Sequence, residues 1–142
     1  MNLATPSSQG LILIVDDQKN WRETLDELLQ ADGHQVQTSS SLDEARALLL
    51  TKDFDVAILD IRLLDERRYD IQGLELLQEI KTAGLRTCVL VMTGYAPPGT
   101  ETHVQQIGAE VFTFKNPPQG LDIVQFRDTI RELVQQAQMV HL

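Results

Sequence analysis

The chain has a single cysteine, Cys88. It cannot close a disulfide within itself, which fits a reducing compartment. Cys88 leads into the apolar run Val89, Leu90 and Val91, where a thiol behaves as a small, inert hydrophobe. Histidine is scarce as well: His34, His103 and His141 lie too far apart for metal-ligand spacing. No apolar run approaches the ~18 residues of a membrane span. Residues 1–10 are polar. They lack the basic region and apolar stretch of a secretion signal and read as a flexible lead-in. A cytoplasmic location is the expectation. Positive charge is also in short supply. Lys and Arg number 12 against 21 Asp and Glu, for a net charge of −9. A phosphate backbone or an anionic membrane would repel such a surface. The excess carboxylates serve solubility, or some of them form a cation site.

What is present is a regular alternation of two periods. The 142 residues suit one domain, expected over residues 11–138 with a short tail at 139–142. Residues 11–15 are a continuous apolar run, as in a strand buried on both faces. Trp21, Leu25, Leu28 and Leu29 recur at helical spacing, and Gly33 is a helix stop. A weak second strand follows at about residues 34–38. Ser41 and Glu44 have capping-box spacing and open a second helix with Ala45, Leu48 and Leu49 inward. Residues 54–59 form a third strand ending at Asp60. Leu74, Leu77 and Ile80 mark a third helix stopping near Gly84. Residues 87–92 read as a fourth strand and 110–114 as a fifth. Between them only Val104 and Ile107 are apolar anchors, so the fourth helix is expected to be short or mobile. Ile123 or Val124, Phe126 or Arg127, Ile130, Leu133 and Val134 fit a final helix.

Five β–α units in succession predict an α/β fold: a doubly wound, five-stranded parallel sheet with helices on both faces. In such sheets ligands sit outside the carboxyl ends of the strands, where strand order reverses. At those ends stand Asp16 and Asp17, then Asp60, then Thr93 followed by Gly94, then Lys115. If the first and third strands are neighbours, three carboxylates converge and oppose one another's ionisation. A hard divalent cation relieves that conflict. Mg²⁺ takes one or two carboxylates, keeps waters and accepts a phosphate oxygen. Lys115 would add a compact ammonium and Thr93 a hydroxyl, the parts of phosphoryl transfer to a carboxylate. Taken singly, Asp17 has the bland alternative of a helix N-cap, and Lys115 that of a solvated charge.

At these residues the sequence resembles the receiver domains of bacterial response regulators, over about residues 10–138. The motifs are Ile14-Val15-Asp16-Asp17, Ala57-Ile58-Leu59-Asp60, Val91-Met92-Thr93-Gly94, Gly108-Ala109 and Phe112-Thr113-Phe114-Lys115. The resemblance implies the flavodoxin-like strand order 2-1-3-4-5 and Asp60 as phosphoacceptor. It implies Asp17 as a direct Mg²⁺ ligand, Asp16 as its positioner, and the backbone carbonyl of Arg62 as a further ligand. Thr93 and Lys115 would hold the phosphoryl oxygens, and Phe112 would be the switch aromatic. The implied partners are a histidine kinase or phosphotransfer protein, and an output partner or domain docking on helix 4, strand 5 and helix 5. A homodimer through helices 4 and 5 is a family habit. The domain would be no enzyme beyond its own phosphotransfer and dephosphorylation.

The sequence departs from the family pattern in places. Asp60 to Gly73 spans 13 positions and includes the polar insertion Asp65-Glu66-Arg67-Arg68-Tyr69-Asp70. It is a tolerated surface loop or a lid or partner-contact element. Lys115 is followed by Asn116-Pro117-Pro118 where the family has Lys-Pro. Arg62 and Tyr95 occupy the positions flanking the acyl phosphate and are candidates to obstruct hydrolytic water. Trp21, close to the acidic residues, is a possible fluorescent reporter of Mg²⁺. The competing readings are a receiver-like interaction module that works without phosphorylation, and a small phosphatase or cofactor-binding α/β protein. An aspartate phosphatase wants a second acid two residues after its nucleophile, where Arg62 stands. A dinucleotide phosphate would be repelled by Asp16 and Asp17. No output domain is legible; the chain reads as a stand-alone receiver or as a piece of a longer kinase or regulator.

Overall fold

A computed structural model describes residues 9–61, 63–65, 68–69, 72–94, 96–115 and 120–139. Five parallel strands form the central sheet: β1 (Leu11–Val15), β2 (Gln35–Ser39), β3 (Val56–Asp60), β6 (Cys88–Thr93) and β7 (Val111–Phe114). Their order is β2-β1-β3-β6-β7, the expected 2-1-3-4-5 once a small ribbon is set aside. That ribbon is β4 (Leu63–Asp65) paired antiparallel with β5 (Arg68–Tyr69). The insertion after Asp60, read from sequence as a polar loop, therefore carries two short strands. The helices are α1 (Lys19–Ala31), α2 (Leu42–Thr51), α3 (Gln72–Thr82), α4 (Thr100–Ile107) and α5 (Ile123–Met139).

Strand residues alternate faces because the pleat has a period of two. Leu13, Val15, Ala57, Leu59, Val89 and Val91 face one layer, where Ala45 and Leu49 of α2, Leu76, Leu77 and Ile80 of α3, and Val104 of α4 cover them. Ile12, Ile14, Val56, Ile58, Leu90 and Met92 face the other. There they meet Leu25 and Leu29 of α1 and Phe126, Ile130, Leu133 and Val134 of α5. This two-sided cover explains why the strands read as unbroken apolar runs. Cys88 is buried and its thiol is pushed up to about 11, chiefly by burial.

Local sequence signals account for several element ends. The Ser41 side chain accepts a hydrogen bond from the Glu44 N–H at 3.3 Å and caps α2. Gly33, with φ of 91°, lets the chain leave α1 in the left-handed region. The fourth helix is short, eight residues with Val104 as its buried anchor. Two details differ from the sequence reading. The third strand begins at Val56 rather than residue 54. In α5, Phe126 turns inward, whereas Ile123 and Val124 stay 50% and 69% exposed, because they precede the turn that packs on the sheet. At the lead-in, Gly10 is tied to β2: its N–H donates to His34 Nδ1 at 3.0 Å and its carbonyl accepts from Gln35. The final helix runs through Met139. Among the described residues no helix is long and apolar enough to cross a membrane.

Candidate functional site

Strand order reverses between β1 and β3, so the loops leaving these two strands diverge and open a crevice. Register pairs Val15 with Leu59, which places the residues that follow, Asp16 and Asp60, side by side. Carboxylate oxygens of Asp16, Asp17 and Asp60 all lie within 4.8 Å of one another. Asp16 is buried, Asp60 half-buried and Asp17 exposed. The N-cap reading of Asp17 does not hold. Gln18 occupies the cap position of α1, and it is Asp16 Oδ1 that accepts the Gln18 N–H at 2.9 Å. The Asp16 carbonyl accepts from Arg22 at 2.9 Å, and the Asp16 N–H donates to Ser39. The loop after β1 is thus fixed by backbone and side-chain bonds on three sides.

Lys115 is not a solvated charge. Its side chain is 3% exposed, and its ammonium stands 2.7 Å from Asp16 and 3.0 Å from Asp60. The β6–β7 pairing carries it there: Thr93 is in register with Phe114, and the Lys115 N–H donates to the Thr93 carbonyl at 2.8 Å. Thr93 is buried, and its hydroxyl donates to the carbonyl of Ile61, just past Asp60. Gly73 closes the site from below. A Cβ there would come within 2.9 Å of the Asp60 carbonyl, so only glycine lets α3 start this close to the acidic loop.

The electrostatics centre on Asp60. Burial, followed by the negative charge of Asp16, raises its carboxyl to about 6; Lys115 opposes the rise. Its Oδ2 accepts from Lys115. Its Oδ1 is buried with no hydrogen-bond partner, alone in this among the side-chain polar atoms of the described residues. A buried, partnerless carboxylate oxygen costs free energy unless something satisfies it. The donor set is all oxygen and anionic, the set a hard cation such as Mg²⁺ prefers. Asp16, Asp17 and Asp60 therefore fit a Mg²⁺ ion by proximity, by chemistry and by the unmet oxygen.

The other sequence expectations fall as follows. Phe112 is half-buried on β7 and stacks edge-to-face with Phe114, ring centroids 5.3 Å apart. Arg62, Tyr95 and the Lys115–Asn116 and Asn116–Pro117 bonds lie outside the described residues. Sequence reasoning missed Gln18, whose amide oxygen accepts from Lys115 at 2.8 Å. It placed Trp21 on the inward stripe of the first helix, and the ring also lies beneath the Lys115 ammonium, 5.3 Å from its centroid. The proximity of both to the Asp16-Asp17 motif was the available signal.

A doubly wound parallel sheet with an acidic trio at its switch point and a buried lysine across from it defines a class: α/β domains with an anionic, cation-ready site at the carboxyl edge of the sheet. Comparison with known proteins makes the class specific. The family model described as "Response regulator receiver domain" matches residues 12–125. The chain belongs to that family, the receiver domains of two-component response regulators. It is 32% identical over 111 residues to the alginate biosynthesis transcriptional regulatory protein AlgB of Pseudomonas aeruginosa, covering 78% of this chain and 24% of AlgB. The chain thus spans about a quarter of that relative's length. Its fold matches a CheY-like response regulator receiver domain protein from Methanospirillum hungatei. There the TM-score is 0.76 at 24% identity, over 90% of this chain and 95% of that one. It also matches the response regulator protein TrrA of Thermotoga maritima, solved in complex with Mg²⁺-BeF. That match has a TM-score of 0.70 at 26% identity, over 87% and 97% of the two chains.

Proposed function

We propose that this receiver domain takes a phosphoryl group on Asp60 in a Mg²⁺-dependent reaction, and that the modified site switches a partner-binding face. The observation that carries the reading is the trio of Asp16, Asp17 and Asp60 within 4.8 Å, holding a partnerless buried oxygen, with the Lys115 ammonium 3.0 Å from the acceptor. Asp16, Asp17 and Asp60 would hold the ion, with the Arg62 carbonyl as a further ligand. When bound, Mg²⁺ supplies positive charge to the oxygens of the transferring group. An Asp60 oxygen forms the new bond to phosphorus. The bond between phosphorus and the donor's leaving group breaks, and its electron pair departs with that group: acetate from acetyl phosphate, or the imidazole of a phosphohistidine. Lys115 neutralises a phosphoryl oxygen. Thr93 turns its hydroxyl from the Ile61 carbonyl to another, and that movement gives Phe112 room to rotate inward.

On this reading the donor is a histidine kinase or phosphotransfer protein, and the output face is α4, β7 and α5, where a partner, an output domain or a second copy docks. The work is signalling in the cytoplasm rather than turnover of a substrate. Incubation with Mg²⁺ and acetyl phosphate tests it by mass spectrometry. One added phosphoryl group is expected, lost with EDTA and absent in Asp60→Asn. An unmodified mass under saturating donor would favour the alternative, a receiver-like interaction module that works without phosphorylation.

A further inference from the structure

Lys115 has three N–H donors and three close partners: it forms an ion pair with Asp16 at 2.7 Å and donates to Asp60 at 3.0 Å and to the Gln18 amide oxygen at 2.8 Å. Below them lies the face of Trp21, within the ~6 Å range of a cation–π contact. A side chain 3% exposed has no solvent to turn to. Any phosphoryl oxygen that bonds this ammonium must therefore displace a present partner. The three are unequal. Bonds to carboxylates carry charge on both sides and are the stronger, whereas the Gln18 amide is neutral. Gln18 is also free of the duty its place suggests. It sits at the N-cap of α1, yet its side chain caps nothing and instead reaches across the site to Lys115. Trp21 is anchored differently, half-buried against the layer between α1, α5 and the sheet, so its ring holds still while the bonds above it change.

We infer that Gln18 and Trp21 are positioning residues for Lys115: Gln18 holds in reserve the N–H that the lysine turns to a phosphoryl oxygen, and Trp21 keeps the ammonium beside Asp60 during the exchange. The inference rests on the phosphoacceptor reading of Asp60 and has two arms of its own. Trp21 is the only tryptophan in the sequence, so emission of the metal-free protein reports its surroundings alone. Lys115→Met is expected to change the emission intensity or maximum; superimposable spectra overturn the contact. The second arm is the rate of Asp60 phosphorylation by acetyl phosphate with Mg²⁺, alongside urea midpoints that establish each variant is folded. Trp21→Leu removes the ring face and is expected to lose about 5- to 30-fold in rate at subsaturating donor, while Trp21→Phe recovers most of it. Gln18→Ala releases one donor and is expected to lower the apparent KM for acetyl phosphate without slowing the maximal rate. Equal losses in Trp21→Leu and Trp21→Phe, or a raised KM in Gln18→Ala, overturn the roles assigned here. A wild-type protein that gains no phosphoryl group sinks the Asp60 reading instead, and the emission arm still decides the Lys115–Trp21 contact.

Discussion

Asp60→Asn is expected to stabilise the metal-free protein, although it removes the residue on which the proposed function turns. The wild-type carboxyl has an ordinary value of 3.8, and burial beside Asp16 moves it to about 6. At 1.36 kcal/mol per tenfold change in proton affinity, the ionised form costs the native state about 3 kcal/mol at neutral pH. Asp60 is only half-buried as a residue, so solvent screening makes that figure an upper bound. Asparagine keeps the shape and an acceptor for Lys115 without the charge. The sign with pH follows from the raised value. Between 3.8 and about 6 the native state binds the extra proton, so wild-type stability from this group falls as pH rises through that window. The advantage of Asp60→Asn should be full at pH 7.5 and about half as large at pH 5. Urea denaturation without metal measures it, and by heat the gain should approach ~10 °C. Added Mg²⁺ should close the gap, since binding at 100 times Kd contributes about 2.7 kcal/mol to the wild type and less to a variant lacking one carboxylate. A variant no more stable than wild type at pH 7.5 without metal, or an advantage that ignores pH, would refute the claim that Asp60 is a strained anion.

Two other perturbations probe neighbouring parts of the argument. Gly73→Ala would normally favour a helix, but the added Cβ would press on the Asp60 carbonyl at 2.9 Å. A loss of about 1–3 kcal/mol and slower phosphorylation are expected; a stabilised, fully competent variant would mean that α3 can back away freely. His34 is buried, and burial lowers its pKa below 6.5 despite Asp32 and Asp55 nearby, with Arg131 acting in the same direction as burial. Its neutral Nδ1 accepts the Gly10 N–H. The unfolded chain takes a proton near 6.5 that the native state refuses, so stability should fall as pH drops through 6.5. Measured in the Asp60→Asn background, where the opposite-signed titration is gone, His34→Asn should flatten the slope between pH 7 and 5.5. An unchanged slope would remove His34 as its source.

Much of the architecture was legible because it is written in local pattern. Continuous apolar runs such as residues 11–15, short and alternating with helical spacing, suit strands covered on both faces, and the Ser41–Glu44 pair announces a helix start. The acidic residues were legible for the same reason: each stands where an apolar run ends. The polar stretch after Asp60 was harder to read. Pairing Leu63 with Tyr69 and Asp65 with Arg68 leaves no clean alternation of apolar and polar residues to mark a strand. Ile123 and Val124 illustrate the opposite error, since helical spacing shows that a residue can face inward but not where the packing begins.

The sequence by itself determined the succession of strands and helices, the family motifs and the positions at which charge collects, because these depend on neighbours a few residues apart. Only the tertiary structure decided what Lys115 touches. Its three partners come from the loop after β1, the end of β3 and the start of α1, with Gln18 97 positions away along the chain. No local pattern encodes a distance across that gap. Side-by-side pairing of β1 with β3 and of β6 with β7 sets it, and the same pairing buries Asp60 deeply enough to make its charge costly.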